Sequence, residues 1–320
     1  MARIERLAQD NQRTQGAEQR AWYRRHSPRH LREMATLIDG ALAARLPAAA
    51  KTCVVLGAGA CTEIPLERLA RACNAVTLVD IDVQGMRRAR DELPSAVRNR
   101  VDLLIADLTG GVSAALADEL RSQPWADLAQ LDGGTGTAAL DAVASLLERL
   151  PIAAPPAFVG LAPAGYGIVL SALTLTQLYS LPLLDVLDTL LLHAPQAADR
   201  REAHPRYRAA AQTFRWRIVQ AHLALLEQLV APGGAILLTT DVTGYLLPPT
   251  AGPHAHDARE ALSTLPPDVL MIPDDLTTRF DLLPPPHTWE WLVAAPDATT
   301  PGRAYDVVGR VLRRKAAANR

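Results

Sequence analysis

The alternation of segments between residues 52 and 107 constrains the fold most. Three short apolar runs, Thr52–Leu56, Ala75–Val79 and Val101–Ala106, are separated by two stretches with helical spacing, Pro65–Cys73 and Gln84–Leu93. Runs apolar on both sides predict strands buried on both faces, and helical returns between them predict a parallel sheet. The runs end in Gly57-Ala58-Gly59, in Asp80-Ile81-Asp82 and in Asp107. Ligands of open parallel sheets bind at the carboxyl ends of the strands, where these residues fall. Glycine there lets the backbone approach a ligand and take dihedrals that are costly for other residues. Asp80 stands 21 residues after Gly59, where a carboxylate can accept hydrogen bonds from two ribose hydroxyls. Asp107 stands where a side chain can reach an adenine amino group, whereas Asp82 is expected to cap the following helix.

The rest of the chain is organised around this core. Leu31, Met34, Leu37, Ile38, Leu42 and Leu46 recur at helical spacing until Pro47 interrupts them. Helices are expected at Ser113–Arg121 and Ala138–Leu150, with a loop over Pro151–Gly165. Ile168–Ala172 reads as strand four, Tyr207–Val230 as a long helix and Ala235–Thr240 as strand five. Thr243–Pro286, rich in Pro, Asp and Thr, reads as an irregular insertion, and Thr288–Ala294 with Tyr305–Arg313 as an antiparallel hairpin. The expected organisation is a helical arm over residues 1–50 and an α/β domain over 51–320, with insertions near 110–166 and 243–287.

Composition excludes several classes. With 49% hydrophobic and 21% charged residues the chain is not disordered throughout, and a net charge of −1 argues against a general polyanion binder. No unbroken apolar run reaches membrane-spanning length, and no apolar leader follows Arg3 and Glu5, so a cytoplasmic protein is expected. Cys53, Cys61 and Cys73 have no zinc spacing and read as reduced thiols. His254-x-His256-Asp257 lacks a third ligand and reads as a surface loop; no metal is expected.

Four segments together resemble the class I S-adenosylmethionine-dependent methyltransferase superfamily, from about Thr52 to Arg314. They are Leu56-Gly57-Ala58-Gly59, Val79-Asp80-Ile81-Asp82, Ala106-Asp107-Leu108, and Leu229-Val230-Ala231-Pro232-Gly233-Gly234 before strand five. The resemblance implies a Rossmann-like methyltransferase sheet of order 3-2-1-4-5-7-6, its last strand antiparallel, with an N-terminal helical extension. It implies S-adenosyl-L-methionine as cofactor, held by Gly57, Ala58, Gly59, Asp80, Ile81, Asp107, Leu108 and Ser171. Three positions depart from the family pattern: Val55 replaces an acidic residue, Cys61 a third glycine, and Gly167 the aspartate before strand four.

The acceptor is expected to be a small molecule. The segment Ser171-Ala172-Leu173-Thr174-Leu175-Thr176-Gln177 lacks the Asn/Asp-Pro-Pro-aromatic run that attack on a flipped base needs, so nucleic acid is not expected. The arm around Trp22, Tyr23, Arg24, Arg25, His26, Arg29 and His30 reads as a lid over the cofactor and substrate, as a solvated helix face with one aromatic docked on the core, or as an RNA-binding arm. Tyr23, His26, Gln177 and Tyr179 are the candidates for handling the acceptor, and a homodimer is left open. Three alternatives stay open. The same cofactor could donate its aminocarboxypropyl group or cyclise, releasing methylthioadenosine. The chain could be a nicotinamide-dependent oxidoreductase, against which Cys61 and Pro232-Gly233-Gly234 count. It could also bind adenosyl compounds without turnover.

Overall fold

The computed structural model describes residues 21–131, 133–152, 161–247, 260–264, 273–283, 285–295 and 302–315. His254, His256 and Asp257 therefore lie outside the described residues, as does most of the Pro151–Gly165 stretch. The contacts divide the chain into two units. One, drawn from residues 107–158 and 175–225, is helical; the other holds the sheet.

The sheet unit contains β1 (Thr52–Leu56), β2 (Ala75–Asp80), β3 (Val101–Ile105), β4 (Tyr166–Ala172), β5 (Val230–Leu247), β6 (Glu260–Thr264), β7 (Phe280–Leu282), β8 (His287–Ala294) and β9 (Gly302–Arg314). The order is β3-β2-β1-β4-β5-β9-β7, with β8 also paired to β9 and β6 to β5. β1 to β5 run parallel, and β9 lies antiparallel beside β5. Counting β8 as the sixth strand and β9 as the seventh, this is the expected 3-2-1-4-5-7-6 arrangement, a Rossmann-like α/β sheet. Cys53, Val55, Leu78, Ile168, Leu170 and Leu237 supply a core along the inner strands. That explains why these runs are apolar without alternation.

The helix Pro28–Ala44 belongs to the same unit. It packs on β5, β8 and β9 and buries His30, Met34, Leu37, Ile38 and Ala41, spaced by four, three, one and three residues. One expectation needs correction: Thr243–Leu247 is no irregular segment but continues β5, paired with Gly302–Asp306 on one side and β6 on the other. The strand partners lie 14 to 21 residues downstream on one side and 55 to 63 on the other, so local composition carried no sign of them.

In the helical unit, the helices Thr137–Arg149 and Leu175–His193 each pack on Val112–Arg121. The carbonyls at the end of Thr137–Arg149, which have no partner within the helix, are taken by Arg217, donating to Leu147 O at 3.2 Å, Glu148 O at 3.1 Å and Leu150 O at 2.6 Å. Leu175–His193 is long and apolar enough to cross a membrane, although the sequence shows no unbroken apolar run there. It carries Pro182, Asp185 and Asp188, and it buries Leu175, Tyr179, Pro182, Val186 and Leu190 as a stripe. That stripe is the pattern of a helix packed in a protein core.

Candidate functional site

The turn after β1 is where glycine is required, for two different reasons. Gly57 has φ +67°, and a Cβ there would stand 2.2 Å from Thr174 Oγ1, whose hydroxyl donates to Leu56 O at 3.1 Å. Gly59 has φ +47°, and a Cβ there would meet nothing within 4 Å. Gly57 is thus demanded by packing, whereas Gly59 bends the chain beneath open space. Two non-glycine residues of the same region, Cys61 (φ +49°) and Leu173 (φ +55°), also sit in the left-handed region, where a side chain is strained. Strain of this kind clusters at functional sites. We expect Gly57→Ala to lower unfolding stability by about 2 kcal/mol, more than Gly59→Ala, from the clash added to the dihedral penalty. Urea denaturation of the two variants compares them directly, and adding Thr174→Ala to Gly57→Ala should recover part of the loss.

Asp80 closes this turn. Its Oδ2 accepts the Gly59 amide at 2.8 Å and its Oδ1 accepts the Asp82 amide at 2.8 Å. The Val79 carbonyl accepts the amides of Gly57 at 2.9 Å and Ala58 at 3.1 Å. Burial raises the Asp80 carboxyl above the usual carboxylate range, and the bonds from the backbone amides of Asp82 and Gly59 oppose that rise. The Ile81 backbone amide also bears on this carboxylate, so three amides share its four lone-pair sites. Asp82 behaves as read from the sequence: its Oδ1 accepts the Gly85 amide at 2.9 Å and caps the helix Val83–Asp91.

Beside Asp80 lies exposed apolar surface. Ile81 is 42% exposed, and Ile105, the β3 partner of Asp80 in register, is 63% exposed. Two solvated isoleucines flanking a half-buried carboxylate form a surface on which a flat apolar ring can lie. Ile105 was missed from the sequence because it reads as the last core residue of a strand. Only its place on the edge strand β3 exposes it.

The other candidates fall as follows. Ser171 is buried on β4, in register with Leu56 of β1. Tyr23 is 1% exposed, its ring centroid 5.8 Å from that of Trp291 and 6.4 Å from that of His30. Trp22 is half-buried and His26 exposed, and their rings stack at 4.7 Å. The described part of the arm therefore has one aromatic docked on the core and a solvated aromatic face. His30 is fully buried; its Nδ1 accepts the Trp289 Nε1 proton at 2.9 Å, and burial lowers its pKa to about 3.

Asp107, Leu108, Gln177 and Tyr179 belong to the helical unit. Asp107 shapes the loop into the helix Val112–Arg121: Oδ1 accepts the Thr109 amide at 2.8 Å and the Thr109 hydroxyl at 2.7 Å, and Oδ2 accepts the Gly111 amide at 3.1 Å. Leu108 is half-buried, Gln177 exposed and Tyr179 buried. His222 is buried in the same unit, which lowers its pKa to about 4. Among the described residues no three His, Cys, Asp or Glu side chains are grouped to hold a metal ion.

No family model and no curated protein matches this chain. Solved structures with which it aligns include the YcgJ protein of Bacillus subtilis, with 8% identity, a TM-score of 0.38, and 88% of this chain and 99% of that chain covered. A SAM-dependent methyltransferase of Anabaena variabilis aligns with 11% identity and a TM-score of 0.34, covering 88% and 85%. One of Aquifex aeolicus aligns with 10% identity and a TM-score of 0.32, covering 82% and 83%. At such TM-scores the likeness decides nothing about this chain, whose fold rests on its own strand order.

Proposed function

We propose that the chain binds S-adenosyl-L-methionine at the carboxyl edge of β1 and β2 and transfers its methyl group to a small molecule. The observation that carries this reading is the Gly59–Asp80 bridge. It sits beneath open space, places a carboxylate there, and is flanked by exposed Ile81 and Ile105. Those are the groups a nucleoside needs: backbone that can be approached, an acceptor for ribose hydroxyls, and an apolar surface for the base. The cofactor, when bound, supplies an electrophilic methyl carbon.

On this reading Asp80 orients the ribose and Gly59 admits the ligand to the backbone. Methyl transfer gains chiefly from alignment and exclusion of water, worth on the order of 7–11 kcal/mol, and does not require a strong base. Of the two arm candidates, the exposed His26 is the side chain offered to an acceptor, and Tyr23 anchors the arm. The three cysteines are all free thiols, which suits a reducing cytoplasm.

Ligand-induced stabilisation tests the proposal, because a ligand that binds only the folded state raises its melting temperature. S-adenosylhomocysteine should raise it, and NAD or NADP at equal concentration should not; the reverse result would replace the reading with an oxidoreductase. Incubation with S-adenosylmethionine and candidate acceptors should release S-adenosylhomocysteine. Release of methylthioadenosine would show attack at the aminocarboxypropyl carbon instead.

A further inference from the structure

The helix Leu175–His193 presents a second face. Opposite its buried stripe, Leu181, Leu184, Asp188 and Leu191 recur at spacings of three, four and three residues, with Leu192 beside them. The four leucines are between 39% and 72% exposed, and among the described residues no other helix or strand exposes more than one large apolar side chain. Isolated exposed leucines are ordinary, whereas a row of them marks an interaction surface. A row spaced by threes and fours is the seam against which another helix packs. From residue 181 to 192 it runs about 17 Å.

Two carboxylates belong to the seam. Asp188 is exposed within it, and Asp185, half-buried, flanks it one turn earlier. Burial, helped by the like charge of Asp188, raises the Asp185 carboxyl to about 6, which leaves it charged at about pH 7.5. Among the described residues no Lys, Arg or His side chain stands within ion-pair distance of either carboxylate.

These charges select what can cover the seam. A second copy brings like charges together. An antiparallel pairing that sets Leu181 against Leu192 also sets Asp185 against Asp188, and a parallel pairing sets each Asp188 against the other. An anionic lipid surface repels the same carboxylates. Cations flanking an apolar stripe match both features of the face. We propose that this face receives a basic amphipathic helix of a partner protein, its apolar stripe packing on Leu181, Leu184 and Leu191 and its cationic side chains reaching Asp185 and Asp188. A seam this short suits a transient partner, not an obligate one. The proposal is independent of what the glycine turn binds.

Calorimetric titration of the full chain at about pH 7.5 with two three-heptad peptides tests it. Both carry leucine at a and d; one has arginine at e and g, the other glutamate. Like charges at e and g keep each peptide from pairing with itself. The arginine peptide should bind saturably and at least roughly tenfold more tightly than the glutamate peptide. Leu184→Gln combined with Leu191→Gln should keep the melting temperature, because both side chains face solvent, and weaken the arginine peptide roughly tenfold or more. Asp185→Lys combined with Asp188→Lys should reverse the preference between the peptides. No saturable binding of the arginine peptide, equal binding of the two, or unchanged binding by the folded leucine double variant would each overturn the proposal. Three further outcomes would overturn it by naming another occupant. A wild-type dimer that the leucine double variant loses in light scattering gives the face to a second copy. Capture by phosphatidylcholine vesicles, lost in the same variant, gives it to a membrane. Peptide binding seen only after deletion of residues 1–20 gives it to the chain's own first residues.

Discussion

Acidification from about pH 7 to about pH 4 is expected to remove roughly 3 kcal/mol of stability through His30 alone. His30 is fully buried, and burial lowers its pKa from 6.5 to about 3. The unfolded chain binds a proton at this residue below pH 6.5, and the folded chain does not until about pH 3. Stability is therefore lost as the pH falls through that window, at about 1.4 kcal/mol per unit. The rings described around His30 are Tyr23, Trp289 and Trp291, and none carries a negative charge that could stabilise an imidazolium. Against a total stability of about 5–15 kcal/mol for a typical domain, the expected loss is large. Urea denaturation at several pH values measures it. His30→Gln keeps an acceptor for the Trp289 indole and removes the titration, so its stability should fall much less between pH 6.5 and 4. An equal slope in the variant would assign the acid sensitivity elsewhere, first to His222 with its pKa of about 4.

His30 also marks where sequence reading stops. It follows the basic, aromatic arm and reads as one more polar lid residue, yet it opens the buried stripe continued by Met34, Leu37, Ile38 and Ala41. A stripe read from apolar residues alone begins at Leu31 and misses a histidine whose partner, Trp289, lies 259 residues away. By contrast, the tight turn at Gly57 and Gly59 and the cap at Asp82 were legible because their roles are local. Positive φ and a helix cap are decided within a few residues, and the spacing from glycine to aspartate follows from one βαβ unit. The strand order was legible only through the family resemblance, since pairing of β5 with β9 and β6 depends on contacts far apart in the chain. Asp107 was legible as a strand-end carboxylate, but its bonds to Thr109 and Gly111 show that the same position also shapes a loop.

That ambiguity is sharpest at Asp80, whose carboxylate braces the turn and is assigned here to the ligand as well. Asp80→Ala should weaken S-adenosylhomocysteine about a hundredfold. Each bond to a charged acceptor is worth roughly 1.5–3 kcal/mol, and the variant loses both the ribose contacts and the fixed Gly59 amide. Asp82→Ala removes a helix cap, which costs about 1 kcal/mol of stability, and should change affinity less than roughly threefold. The bracing role and the ligand role separate when the ligand is varied too. If Asp80 touches the ribose, the wild-type protein should prefer S-adenosylhomocysteine over its 2′-deoxy analogue, and Asp80→Ala should bind the two nearly equally. If Asp80 only holds Gly59 in place, the variant should lose affinity for both ligands by the same factor, and the preference should persist. A persistent preference would leave Asp80 as the brace of the turn and send the search for the ribose acceptor elsewhere.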